Sequence, residues 1–315
     1  MKAVVYGLIA VSFLASHIHA GEPAAPPAWA YVPIAPTQAP ADTDPKSVPG
    51  TDVRLTRAQI RDLFNVPDWH PNDHPPMPDI VAHGHKPGVY GCAYCHLPNG
   101  LGRPENASLA GLPAAYIIQQ MADIKSGARR TAQPKLIPQT MMVNLAGHVS
   151  DEDVRQAAAY FSSLKPRPWI KVVETGTAPK TRIGGGMLVA LTDGGTEPIG
   201  KRIIEVPEDL ERTELRDSKS GFIAYVPKGS IEKGAKLATH AKPTACVACH
   251  GADLRGIGPV PALAGRSPSY LFRQLYDMKS GARAGAWYGL MAPSVAALSQ
   301  DDMLNIAAYA ASLPP

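Results

Sequence analysis

Every cysteine of the chain lies in one of two short stretches, Cys92-Ala93-Tyr94-Cys95-His96 and Cys246-Val247-Ala248-Cys249-His250. Both read C-x-x-C-H. On one helical turn, two thiols three residues apart reach the two vinyl groups of a haem and form thioethers. The histidine that follows then turns its imidazole toward the iron as proximal ligand. A C-x-x-C pair can also be a thioredoxin-like redox centre or half of a zinc site, and four cysteines in an exported chain can form two disulfides. None of these gives a reason for a histidine after each pair. The spacing predicts two covalently attached haem c groups, held by Cys92, Cys95, Cys246 and Cys249, with His96 and His250 on the irons.

The elements that position these residues are duplicated. With Cys92 aligned on Cys246, the register holds without a gap to Arg129 and Arg283. Leu109-Ala110-Gly111 meets Leu263-Ala264-Gly265, Tyr116 meets Tyr270, Gln120 meets Gln274, and Asp123 meets Asp277. The phrase Lys-Ser-Gly-Ala-Arg closes the ungapped stretch in both copies, at Lys125–Arg129 and Lys279–Arg283. After a short change of length, Met142–Leu164 lies over Met291–Leu313. The period is far longer than a solenoid unit, so the repeat is a duplicated domain. Each copy predicts a haem motif, a loop, a helix stopped by Gly127 or Gly281, a loop carrying Met, and a last helix. The last helix is capped by Ser150 with Asp153, or by Ser299 with Asp302.

A six-coordinate haem needs a second axial ligand, and a methionine thioether favours ferrous iron. Met291 and Met142 stand eight residues before Ser299 and Ser150. They are the expected distal ligands, with Met141 as the alternative to Met142. Gap-filling core methionines are the competing explanation.

The N-terminus combines Lys2, an apolar stretch from Ala3 to Ala15, and small residues at Ala20-Gly21. This reads as a signal peptide (1–20) cleaved after Ala20, and hence as export to the periplasm. The stretch falls short of the ~20 apolar residues of a membrane anchor, and no later segment suffices to span in the mature chain. A net charge of +4 over 315 residues, without a basic run, gives no sign of nucleic-acid binding.

Taken together, the C-x-x-C-H turns, L-A-G, Y-x-x-x-Q, S-G-A-R, the methionine and the S-x-x-D helix ending A-A-Y resemble the di-haem class I cytochromes c of the cytochrome c4 family. The resemblance covers about residues 90–165 and 244–315. It implies two His/Met haems and electron transfer with periplasmic or membrane redox partners, a dehydrogenase as donor and an oxidase or another cytochrome as acceptor. It further implies that Tyr116, Arg129, Tyr270 and Arg283 lie near the haem propionates.

The sequence departs from that pattern twice. Pro166 to about Lys242 replaces a short linker, and its Val- and Ile-rich runs (WIKVVETG, GGMLVAL, KRIIEVP, GFIAYVP) read as strands. Residues 21–78 form a Pro-rich extension with one short helix from Thr56 to Phe64, and Gly21 to about Gly50 reads as an extended tether. Just beyond lie His70, His74, His83 and His85, which could bind a metal or compete for the first iron. The expected fold is mainly α, with haem domains at 79–165 and 230–315, a small β-rich module at 166–229 between them, and the N-terminal extension. The expected function is single-electron transport without catalysis. A di-haem peroxidase, with one open coordination site, is the enzymatic alternative. A third possibility is the cytochrome subunit of a larger periplasmic dehydrogenase.

Overall fold

The computed structural model describes residues 25–34, 43–241 and 245–315; the signal peptide expected at 1–20 lies outside them. In the first half, α1 (Arg57–Ile60) is a single turn, opened by a capping box in which Thr56 and Gln59 each accept the other's backbone N–H. It stops short of the Phe64 expected from sequence. A second turn, α2 (Asp79–Ala82), and the hairpin of β1 (Gly84–His85) and β2 (Val89–Tyr90) lead into the motif turn α3 (Ala93–His96). Then follow α4 (Ala114–Lys125), α5 (Ile137–Ala146) and α6 (Asp151–Ser163).

The connecting segment holds β3 (Ile170–Thr175), β4 (Thr177–Pro179), β5 (Thr181–Gly184), β6 (Met187–Ala190), β7 (Thr196–Pro198) and β8 (Ile204–Pro207), then α7 (Leu210–Glu214) and β9 (Phe222–Pro227). Strand β9 is central, parallel to β3 and antiparallel to β8. Phe222, Ala224 and Val226 alternate inward along it, as the two-residue period of a strand requires. The pairs β4–β7 and β5–β6 are antiparallel.

The second half contains α8 (Ser230–His240), the motif turn α9 (Val247–His250), α10 (Pro268–Lys279), α11 (Tyr288–Ala296) and α12 (Gln300–Ser312). Ser150 caps α6 through the Asp153 N–H, and Ser299 with Asp302 forms a full capping box on α12. Helices α4 and α10 run out at Gly127 and Gly281, whose φ values of 75° and 76° suit only glycine without strain. Helix α8 crosses α12 so closely that a Cβ on Gly234 would lie 2.0 Å from the Asn305 carbonyl oxygen. In the first half, the one-turn α2 packs Ile80 and Val81 against α6 instead.

The two largest apolar clusters form the cores of the two halves. Ile80, Leu112, Ile117, Ala158 and Phe161 anchor the first, and Leu254, Phe272, Met303, Leu304 and Ala307 the second. The connecting segment feeds both: Met187 and Phe222 enter the first, Ile203 and Val226 the second.

The expected tether is corrected in part. Ala30 and Tyr31 are buried in the second core, Trp29 lies 4.6 Å from Phe272 between ring centroids, and the Tyr31 hydroxyl donates to Asp277 Oδ1 at 2.7 Å. Two large aromatic rings within three residues carry enough apolar area to dock a Pro-rich peptide. The methionine loops are corrected too, because Met141 and Met142 lie on α5 and Met291 on α11.

Candidate haem sites and the seam between them

Both motif turns are built alike. Cys92 and Cys246 each stand at a helix N-cap position with helical backbone angles, and their carbonyls accept from the His96 and His250 N–H at 3.1 and 2.9 Å. One turn thus sets both thiols and the imidazole on a single surface. None of the four cysteines is in a disulfide. Burial, aided by the neighbouring Cys95, pushes the Cys92 thiol up to about 12. Such a thiol is neutral, unlike the low-pKa thiolate of a redox-active C-x-x-C pair.

The imidazoles are oriented by backbone. His96 Nδ1 lies 2.8 Å from the Ala107 carbonyl, and His250 Nδ1 lies 2.8 Å from the Pro261 carbonyl. A carbonyl can only accept, so Nδ1 carries the proton and Nε2 keeps its lone pair. Burial holds both pKa values below the usual histidine range against the opposing effect of that hydrogen bond. His250 Nε2 is buried without a protein partner. A basic nitrogen directed by its other ring atom and lacking a partner is what an axial iron ligand requires.

The residues expected near the propionates meet where the two halves join. Arg129 and Arg283 pair as an antiparallel bridge, flanked by Arg130 N–H to Ala282 O and Ala284 N–H to Ala128 O, both 2.8 Å. The side-chain contacts are reciprocal, both within each half and across the seam. Arg129 donates to Gln120 Oε1 (2.9 Å), the Tyr270 hydroxyl (3.0 Å) and Gln274 Oε1 (3.0 Å). Arg283 donates to Gln274 Oε1 (3.0 Å), the Tyr116 hydroxyl (2.9 Å) and Gln120 Oε1 (2.8 Å). This is the self-complementary logic of a two-fold dimer, realised inside one chain.

The seam is strongly electropositive. Burial alone would raise the Tyr116 pKa, but the Arg283 and Arg129 guanidiniums outweigh it and lower the value. Sequence reasoning missed a third cation, Arg266, buried against the Ser108 and Ala110 carbonyls (2.6 and 3.2 Å) and lowered to about 10 by burial. Its repeat equivalent is Leu112, so the duplication gave no signal. Among the described residues, no carboxylate forms an ion pair with Arg129, Arg266 or Arg283. Arg266 is held by backbone carbonyls alone, and an enclosed cation without an anion is costly. Haem propionates are the carboxylates such a seam fits.

The methionines are half-buried, Met141 and Met142 on α5 and Met291 on α11. The four histidines of the preceding segment disperse. His70 Nε2 meets Asp217 (2.9 Å), His74 Nε2 meets Asp68 (3.2 Å), His83 Nδ1 meets the Phe64 carbonyl (3.2 Å) and His85 Nε2 meets Asp153 (3.1 Å). Among the described residues, no group of three or more His, Cys, Asp or Glu could hold a metal ion.

Comparison with known proteins agrees with the duplicated motifs. The model of the family described as Cytochrome c matches residues 87–165 and 231–314, just over half of the chain. Cytochrome c4 of Azotobacter vinelandii is 29% identical over 226 residues, covering 69% of this chain and 82% of that protein. A thiosulfate dehydrogenase electron acceptor of Thiomonas intermedia is 28% identical over 231 residues, covering 72% and 81%. The crystal structure of reduced cytochrome c4 from Pseudomonas stutzeri gives a TM-score of 0.46 at 22% identity, covering 70% of this chain and 93% of that one. With two family segments, each containing one C-x-x-C-H turn, the chain belongs to the cytochrome c family as a di-haem electron-transfer protein with two covalently bound haem c groups, homologous to cytochrome c4.

Proposed function

We propose that this chain is a periplasmic carrier of single electrons and not an enzyme, with both haems ligated by histidine and methionine. The observation that carries this reading is the equivalence of the two halves. Each orients its histidine by Nδ1 to a backbone carbonyl eleven residues on. Each places a methionine on the helix before the capped final helix. Peroxidase chemistry needs an iron position that the protein leaves open, and a methionine available in both halves opposes that. When bound, each haem supplies a one-electron iron couple. The chain's own residues hold the imidazole tautomer, supply the thioether, and surround the seam with cations. Arg129, Arg266, Arg283, Tyr116 and Tyr270 are the proposed propionate partners.

Met142 and Met291 are the proposed distal ligands, with Met141 as the alternative in the first half. Met291→Ala is expected to lower one of two midpoint potentials in a redox titration and leave the other in place. An unchanged titration would remove Met291 as a ligand.

The signal peptide, with cleavage after Ala20, supports export, and no helix among the described residues is long and apolar enough to cross a membrane. The strands of 166–229 form a β-rich module wedged between the domains, and residues 25–34 dock the N-terminal extension on the second. Proposed partners are a periplasmic dehydrogenase as donor and an oxidase or another cytochrome as acceptor. A second reading, a cytochrome subunit of a larger dehydrogenase, is favoured by the relatives whose names mark them as electron acceptors of a thiosulfate dehydrogenase. Co-purification of this chain with a dehydrogenase would separate the two.

A further inference from the structure

The duplication supplies an internal control, because equivalent positions of the two motif regions can be compared. Leu97, Pro98, Asn99 and Gly100 are all buried, whereas Ala252 and Asp253, the equivalents of Pro98 and Asn99, are exposed. Cys95 is half-buried and Cys249 exposed. The cover on the first copy comes from the connecting segment. Trp69 Nε1 donates to the Leu215 carbonyl (2.7 Å) and Asn99 Nδ2 to the Ser218 carbonyl (2.5 Å). Between them, Arg216 reaches into the motif itself. Its guanidinium lies 3.7 Å from the Tyr94 ring centroid, and Nη1 donates to the Tyr94 carbonyl at 2.6 Å.

Several features mark Arg216 as placed for its charge. Its φ of 59° is in the left-handed region, which an arginine adopts at a cost. The neighbouring carboxylates are engaged elsewhere. Asp217 is taken by Arg212 and His70, and Glu105 pairs with Arg103. One positive charge is therefore left over beside Cys95, which carries the first haem. Burial lowers the Arg216 pKa, ahead of the like charge of Arg103, but an arginine stays protonated. Among the described residues, the second copy has nothing comparable. Tyr94, Arg103 and Glu105 correspond to Ala248, Ile257 and Pro259, and the nearby Arg255–Asp253 pair is exposed.

We propose that Arg216 makes the two haems inequivalent, raising the midpoint potential of the first above that of the second. The inference rests on the reading of the chain as a carrier with two reducible haems. Ferric haem carries one more positive charge than ferrous. An adjacent enclosed cation disfavours the ferric state, and exclusion of water by the Leu215–Phe222 strap acts in the same direction. Arg216 touches the motif loop and is a positioning and tuning residue.

The test is a redox titration of the haem-loaded Arg216→Gln protein, which keeps a donor for the Tyr94 carbonyl and loses the charge. Haem content and low-spin spectra, recorded first, show whether the two-haem reading holds before the potentials are compared. The higher midpoint is expected to fall by about 59 mV, about a tenfold shift in the electron distribution between the haems, with the lower one unmoved. Arg216→Lys should retain most of the difference. Two unmoved midpoints, or equal movement of both, would overturn the proposal. Should Arg216→Gln not accumulate as holoprotein, Met291→Ala on the wild-type background decides the order. Lowering of the lower midpoint agrees with the proposal, and lowering of the higher one contradicts it.

Discussion

Protein in which Cys92, Cys95, Cys246 and Cys249 are all alanine, and which therefore carries no attached haem, is expected to lose its cooperative fold. Each half is a short helical domain whose core includes groups that only the cofactor satisfies. His250 Nε2 is buried without a partner, which costs ~1–3 kcal/mol when left unmade. Arg266 is enclosed with only the Ala262, Ser108 and Ala110 carbonyls as partners, and an uncompensated buried charge costs several kcal/mol, typically ~3–5 when a pair is broken. Those two penalties together meet the lower end of the ~5–15 kcal/mol that a whole domain has in hand. Far-UV circular dichroism should show weakened helix signal and a broad thermal transition. A haem-free protein that melts sharply at the holoprotein's temperature would contradict the role assigned to the cofactor.

The second large effect belongs to the seam. Arg283→Met removes donors from the Tyr116 hydroxyl, Gln120 Oε1 and Gln274 Oε1 at once. Gln120 and Gln274 keep a donor in Arg129, but the Tyr116 hydroxyl loses its charged donor outright, and a buried group left unmade costs ~1–3 kcal/mol. A loss of about 1–3 kcal/mol is expected in chemical denaturation of the holoprotein. Arg283→Lys should not restore it, because three divergent acceptors are met by a planar guanidinium and not by an ammonium. Arg129→Met should match it by pseudo-symmetry. The double variant should cost more than the two singles combined, since either arginine alone still gives Gln120 and Gln274 a donor and only the double leaves both amide oxygens unmet. Strict additivity, or a loss below about 1 kcal/mol, would show that the seam contributes little.

Much of this was legible in the residues. C-x-x-C-H is read locally, since one turn of backbone brings the thiols and imidazole together whatever surrounds it. The capped final helices were visible for the same reason. The repeat of Lys-Ser-Gly-Ala-Arg announced a duplicated unit, but its use as a seam did not follow from spacing, because Arg129 and Arg283 meet only after the halves dock. Arg266 escaped notice because Leu112 occupies its place in the first copy. Trp29 and Tyr31 were read as part of a tether because proline dominates that stretch, yet their docking depends on Phe272 and Asp277 more than two hundred residues away. The methionine segments carry Pro138 and Pro293, which break the helix signal, and read as loops. Pro138 sits in the first turn of α5, where proline is tolerated, and Pro293 lies inside the short α11. Arg216 carries no motif at all, and its proximity to Tyr94 is a product of the connecting segment's fold.

The most direct test of the carrier reading is the optical and electron paramagnetic resonance spectrum of the oxidised holoprotein, recorded before and after addition of peroxide. Two low-spin signals of His/Met type, unchanged by peroxide, are the predicted result. A high-spin haem that reacts with peroxide would contradict it, because one iron would then lack its methionine and the chain would have the open site of an enzyme.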